Sequence, residues 1–129
     1  MYSNFLVLNI FDTLYSYKYI SRPYELKTNL ATAMPEVSED GLTYTITMKK
    51  GVTFQDHEMF ENGVGREVHA SDFIYSLKRH FDKKTNSQGA WLFANRTVGL
   101  DDWKTEGSNY SQEVDVLKAL DNYTIQIKL

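Results

Sequence analysis

Residues 41–54, GLTYTITMKKGVTF, are followed at residues 69–79 by a second informative stretch, HASDFIYSLKR. In the first stretch apolar side chains (Leu42, Tyr44, Ile46 and Met48) alternate with threonines (Thr43, Thr45 and Thr47). A period of two is typical of a strand with one buried face, and β-branched residues are favoured in strands. Asp40-Gly41 is a strong turn signal. We therefore predict a β-hairpin that joins residues 31–37 to this strand.

The second stretch predicts an amphipathic helix. Its apolar residues, Phe73, Ile74, Leu77 and Phe81, have the spacing that places them on one face. His69 or Ser71 is expected to cap the start, with Asp72 in the first turn. Cations gather towards the end, where they oppose the helix dipole: Lys78, Arg79, Lys83 and Lys84.

The segments before and between these two are harder to assign. Residues 4–17 change from apolar to aromatic and fit either a short helix or a strand. Residues 18–29 and 55–68 are predicted to be loops, because the first contains Arg22-Pro23 and the second is polar with two glycines. Residues 89–95 are expected to form a short helix.

The last third of the chain predicts another helical turn and a second hairpin. Residues 99–104 are expected to form the turn of helix, and Gly107-Ser108-Asn109 a loop. A turn at Asp121-Asn122 precedes an alternating strand that ends at Leu129. The order strands, helix, strands contains no βαβ repeat, so the fold class is α+β. We expect a small mixed domain with antiparallel hairpins, one main amphipathic helix and short helices.

Composition excludes several classes of protein. The chain has 129 residues, enough for one domain. It lacks cysteine, which excludes disulfides and thiolate zinc sites. Its net charge of −3 does not fit a nucleic-acid binder. No apolar run approaches the roughly 20 residues of a membrane span, and the start lacks the basic region of a signal peptide. Nine tyrosines suit a wet groove or an interface.

The polar residues do not assemble a recognisable reaction centre. No two of the histidines His57, His69 and His80 have the i, i+4 spacing of metal ligands, and Asp56-His57-Glu58 reads as a solvated loop. Asp101 and Asp102 are adjacent and would diverge, whereas an acid–base pair needs convergent carboxyl groups. No serine lies in a glycine-flanked nucleophile turn. We predict no catalytic residue, no metal site and no cofactor.

Five motifs in a fixed order resemble a known family, the extracellular solute-binding proteins of family 5. These are the peptide- and oligopeptide-binding subunits of ABC importers. The matching stretches are residues 11–14 (FDTL), 30–45 (LA through VSEDGLTYT), 50–54 (KGVTF), 70–79 (ASDFIYSLKR) and 117–129 (LKALDNYTIQIKL). The chain departs from the family pattern at Asp56 to His69. This loop is longer than the usual tight turn and is similar to the oligopeptide lipoproteins of Gram-positive bacteria.

The resemblance implies a part of a larger receptor. Family members are several times longer and have two lobes that close on a ligand. Residues 1–129 would be a single subdomain of the first lobe, and the chain stops at the end of a strand, so we expect an excised fragment. The implied partners are a peptide ligand and an ABC permease. The implied location is extracytoplasmic, at the cell surface as a lipoprotein or in the periplasm, and a monomer is expected.

The resemblance also implies ligand-side residues. Residues 88–95 are similar to the family segment that approaches the cleft, which makes Trp91 and Phe93 the candidate ligand-binding residues. Two alternatives stay open. The same scaffold would serve a nickel complex, haem, glutathione or an oligosaccharide, and a free-standing α+β interaction module would show the same strands and helix.

Overall fold

A computed structural model describes residues 10–89, 99–105 and 107–129. Within these residues, a two-stranded sheet pairs β1 with β2, and a four-stranded sheet has the order β3-β4-β6-β5. All strand pairs are antiparallel. The elements are β1 (Tyr15–Tyr17), β2 (Leu26–Thr28), β3 (Glu36–Val37), β4 (Thr43–Thr47), α1 (Ala70–Phe81), α2 (Leu100–Thr105), β5 (Leu117–Asp121) and β6 (Thr124–Lys128). The predicted α+β class is confirmed.

Both predicted hairpins are present. In the first, Gly41 N–H donates to Ser38 O over 2.8 Å, and Gly41 has a φ of 73°, a conformation that glycine adopts without steric cost. The sequence did not indicate that the two hairpins join. They do so through β4 and β6, where Ile46 lies opposite Ile125. This pairing makes one sheet from strands about 80 residues apart in sequence.

The prediction of a loop over residues 18–29 is wrong at its end. Leu26–Thr28 form β2, which pairs with β1, so residues 15–17 are a strand. The pairing extends to the next position, where Lys18 N–H donates to Glu25 O over 2.8 Å. Three residues are too few to show a period, and the strand becomes visible only through its partner. The predicted helix at residues 89–95 lies outside the described residues beyond Gly89.

Two apolar clusters form the core. The first contains Ala31, Ile46, Met48, Val68, Ala70 and Ile125. The second contains Phe81, Leu100, Trp103, Val114, Val116 and Leu117. Ile74 and Ile127 pack against both clusters. The apolar face predicted for α1 therefore packs as expected. Leu42 differs from its alternating neighbours because it precedes β4 and stays 45% exposed.

The loop between β4 and α1 is closed at its base by main-chain contacts. Thr53 bridges to Glu67, and Phe54 N–H donates to Arg66 O over 2.9 Å. Inside the loop, Gly65 N–H donates to Asp56 Oδ1 over 2.9 Å. A Cβ atom at Gly65 would lie 1.8 Å from Phe54 O, so only glycine fits beside the main chain of Phe54. The long loop is thus held in place before α1 begins.

Candidate functional site

A groove of about 740 Å³ runs between α1 and β5. Helix α1 contributes Ser71, Ile74, Tyr75 and Lys78, whose spacing of three and four residues places them on one side of the helix. Further described lining comes from Asp72 in the first turn of α1, and from Arg66, Tyr110, Glu113 and residues 117–120. The groove is therefore lined by aromatic, aliphatic and charged side chains.

Lys78 lies at the floor of this groove and is only 5% exposed. Its Nζ donates to Gln112 O over 2.6 Å and to Tyr110 O over 3.2 Å. The ammonium group also lies 5.8 Å from the centroid of the Trp103 ring. Burial lowers the pKa of Lys78, and the negative charge of Glu113 opposes that shift. The side chain thus fastens residues 110–112 to α1.

Tyr110 makes a second connection between the same loop and α1. Its hydroxyl donates to Asp82 Oδ2 over 2.8 Å, directly after the helix ends. The Lys84 N–H and then the Tyr110 hydroxyl lower the pKa of Asp82 by hydrogen bonding its carboxylate. Burial raises the pKa of Tyr110, and its bond to Asp82 adds to the effect. The Asp82 carboxylate therefore accepts two hydrogen bonds, and the one from Tyr110 holds the end of α1 against this loop.

The aromatic rings of the site pack around Tyr110. Its ring centroid lies 5.0 Å from that of Tyr75 and 5.4 Å from that of Trp103, which meets it edge to face. Trp103 is 1% exposed, and its Nε1 donates to Asn109 O over 2.7 Å. Tyr75 is the exposed member of this cluster. Tyr75 and Tyr110 line the groove, and the buried Trp103 ring packs against Tyr110.

The opposite end of the groove is built at the start of α1. Arg66 donates to both carboxylate oxygens of Asp72, over 2.8 and 2.5 Å, and its guanidinium lies 5.0 Å from the Phe54 ring centroid. His69 occupies the N-cap position, and its N–H donates to Asp72 Oδ2 over 2.9 Å. Of the two predicted caps, His69 is therefore the one at the helix start.

The histidines have local structural partners. His57 Nδ1 accepts from Met59 N–H over 3.2 Å, and His80 Nδ1 lies 2.7 Å from Ser87 Oγ. Within residues 10–89, 99–105 and 107–129, no group of three or more histidine or carboxylate side chains is placed to hold a metal ion. The helices of the same part of the chain are too short or too polar to cross a bilayer.

The structure describes the cluster around Tyr110 but not the two residues that the sequence resemblance places beside the ligand. Trp91 and Phe93 lie outside the described residues. The contacts of Lys78, Tyr110, Asp82 and Trp103 were not predicted from the sequence. A weak signal existed in the position of Lys78, four residues after the apolar Ile74 and therefore on the same side of α1.

In the part of the chain that the structure describes, every buried side-chain polar atom has a hydrogen-bond partner, and the groove between α1 and β5 is open. Comparison with known families identifies the scaffold. The family of bacterial extracellular solute-binding proteins, family 5, matches residues 25–129. The chain belongs to this family, which consists of solute-binding proteins rather than enzymes. The resemblance expected from the sequence is confirmed.

Three relatives illustrate the match. The chain is 41% identical over 104 residues to the oligopeptide-binding protein AmiA of Streptococcus pneumoniae, which covers 78% of this chain and 15% of AmiA. OppA of Listeria monocytogenes, solved with bound peptide, superimposes with a TM-score of 0.67 at 25% identity over 90% of this chain and 20% of OppA. DppA of Helicobacter pylori, in complex with the peptide STSA, gives a TM-score of 0.60 at 31% identity, covering 94% and 21% of the two chains.

The lengths of these chains differ greatly. The chain spans 15% of AmiA and about a fifth of each of the two solved relatives. The superpositions nevertheless extend over nearly all of this chain, so its two sheets and α1 form a unit that recurs inside much longer proteins.

Proposed function

We propose that this chain is part of an extracytoplasmic peptide-binding protein that delivers its ligand to an ABC importer. The observation that carries the proposal is membership of family 5 together with the peptide-binding names of the relatives. A receptor of this kind captures and releases its ligand by closure of two lobes, which requires no catalytic group. The internally bonded polar residues of the groove are consistent with that requirement.

In this proposal residues 1–129 form one subdomain of the first lobe. The small share of each relative that the chain covers supports this assignment. The complete receptor would be a monomer outside the cytoplasmic membrane, either anchored as a cell-surface lipoprotein or free in the periplasm. Its macromolecular partner would be the ABC permease.

Trp91 and Phe93 are the proposed ligand-side residues of the chain. Their support is the resemblance of residues 88–95 to the family segment that approaches the cleft. The flanks of this segment are anchored: Gly89 N–H donates to Ser87 Oγ over 3.2 Å, and the Gly99 carbonyl accepts from Trp103 N–H over 3.0 Å. An aromatic side chain there would bury part of a peptide and remain tolerant of its sequence.

Thermal unfolding of the full-length receptor with a peptide library tests the proposal. A peptide at a hundred times its Kd stabilises the folded state by about 2.7 kcal/mol, so a bound peptide raises Tm by an easily measured amount. Trp91→Ala is expected to reduce the peptide-dependent shift. Met59→Ser, a change at an 87% exposed residue of the loop between β4 and α1, serves as the matched control and should retain it.

Stabilisation by a ligand other than a peptide is the result that would contradict the peptide assignment. A shift with a nickel complex, haem, glutathione or an oligosaccharide, and none with any peptide, would overturn the peptide assignment while leaving the receptor architecture intact. An equal peptide shift in wild type and Trp91→Ala would remove Trp91 from the ligand site alone.

A further inference from the structure

The hairpin formed by β1 and β2, residues 15–28, has one apolar face; we call it the tyrosine hairpin. Residues opposite each other on paired strands share a face, so Tyr17 and Leu26 lie together. Tyr24 joins them, since its ring contacts the Tyr17 ring edge to face at 5.8 Å. The opposite face carries Ser16 and Lys27. The tyrosine hairpin is thus amphipathic.

The apolar face begins at the core and continues into solvent. At its base, Tyr15 packs against the first core cluster and its hydroxyl donates to Ala33 O over 3.1 Å. Farther out, Tyr17 and Tyr24 are exposed. At the turn, Tyr19 is 93% exposed and Ile20 is 85% exposed. Large apolar side chains concentrated on one exposed turn mark an interaction surface, whereas isolated exposed ones do not.

The charges of the tyrosine hairpin differ from those of the whole chain. Its cations are Lys18, Arg22 and Lys27 and its only acid is Glu25, which gives three minus one, or +2, against −3 for the complete sequence. Lys18 Nζ bonds Glu25 Oε2 over 2.5 Å. The Arg22 guanidinium lies 4.4 Å from the Tyr24 ring centroid, on the exposed side of the hairpin. Positive charge and aromatic rings therefore occur together.

We propose that the tyrosine hairpin docks onto the surface of an anionic lipid bilayer. Tyr19 and Ile20 are almost fully exposed at the turn, and a deformable bilayer accommodates such side chains without a preformed socket. Tyrosine favours the membrane–water boundary, because its ring is apolar and its hydroxyl remains hydrated. Arg22, whose guanidinium lies beside the Tyr24 ring, complements the negative headgroups, as in other basic, aromatic membrane-surface segments. The occupant is the lipid surface itself and not a protein in the membrane.

Flotation with protein-free vesicles tests the lipid assignment on the full chain. The protein is expected to float with vesicles of phosphatidylcholine and phosphatidylglycerol, and much less with phosphatidylcholine alone. Tyr19→Ser combined with Ile20→Ser should abolish flotation. Arg22→Gln should weaken binding about fivefold, the loss typical of one basic residue near an anionic surface. Met59→Ser, a change at an 87% exposed apolar residue of another loop, is the matched control and should float like wild type.

Far-ultraviolet circular dichroism of each variant shows whether the fold is retained; the substituted side chains are exposed, so the spectra should match. Failure of the wild-type chain to float with anionic vesicles overturns the proposal. Equal flotation of wild type and the Tyr19/Ile20 variant does so as well. Binding to vesicles prepared from bacterial membranes, without binding to protein-free vesicles, would assign the hairpin to a membrane protein instead.

Discussion

Lys78 joins α1 to the loop of residues 110–112 through one buried ammonium group. Replacing it in Lys78→Ala removes the donor from the Tyr110 and Gln112 carbonyl groups. We expect the free energy of unfolding to fall by about 1–3 kcal/mol, because a buried carbonyl that loses its donor retains its desolvation cost. Urea denaturation measures the change. Arg79→Ala, at the exposed neighbouring residue, should change the same quantity by less than about 0.5 kcal/mol. Equal losses in both variants would contradict this role.

The same residue shows what sequence reasoning misses. Lysine is rarely buried, and Lys78 was interpreted as one of several cations at a helix end. Its position in the last turn of α1 is as expected. Its burial depends on acceptors 32 and 34 residues away along the chain, in a loop without periodicity. The burial of Trp103, by contrast, follows the general tendency of a large ring to gain most from leaving water.

At the scale of elements, the start of α1 is expected to make the fold acid-sensitive. Burial of Asp72 would raise its pKa, but the Arg66 guanidinium and the His69 N–H outweigh burial and lower it. A carboxyl group with a folded pKa below its unfolded value stabilises the protein above the unfolded pKa. That stabilisation disappears as pH falls through the folded pKa. Between about pH 5 and pH 2, Asp72→Asn should therefore lose less stability than wild type.

Thermal denaturation across this range measures the slope of Tm against pH. The expected difference at neutral pH is about 1 kcal/mol, the usual value of a helix-capping interaction. Asp115→Asn removes an exposed carboxylate paired with Lys118 at 3.0 Å and is the matched control, with a slope like that of wild type. If Asp72→Asn and wild type have identical slopes, the Arg66–Asp72 pair does not stabilise the helix start.

The elements themselves were predictable to different degrees. The hairpin strands β4 and β6 have enough residues to show alternation, and a glycine or asparagine turn marks each hairpin. The apolar face of α1 has four members over nine residues, which is enough to show a helical period. Strand β2 has only three residues and is defined by its pairing with β1. Short strands are therefore determined by tertiary contacts that no local pattern reports.

For the whole molecule, the contacts of Ile74 and Ile127 with both core clusters predict one cooperative unit. Two main-chain bonds report on the clusters separately: Met48 N–H to Tyr123 O at 2.7 Å beside the first, and Leu117 N–H to Val114 O at 2.9 Å in the second. If the clusters open together, amide hydrogen exchange gives the same opening free energy at both sites.

Ile127→Ala should lower both values together, by about 1–3 kcal/mol for a half-buried side chain. Val37→Ala on the exposed edge strand β3 should leave both nearly unchanged. Different opening free energies in the wild-type chain would show that the clusters unfold independently, and that the recurring unit of these receptors consists of two smaller ones.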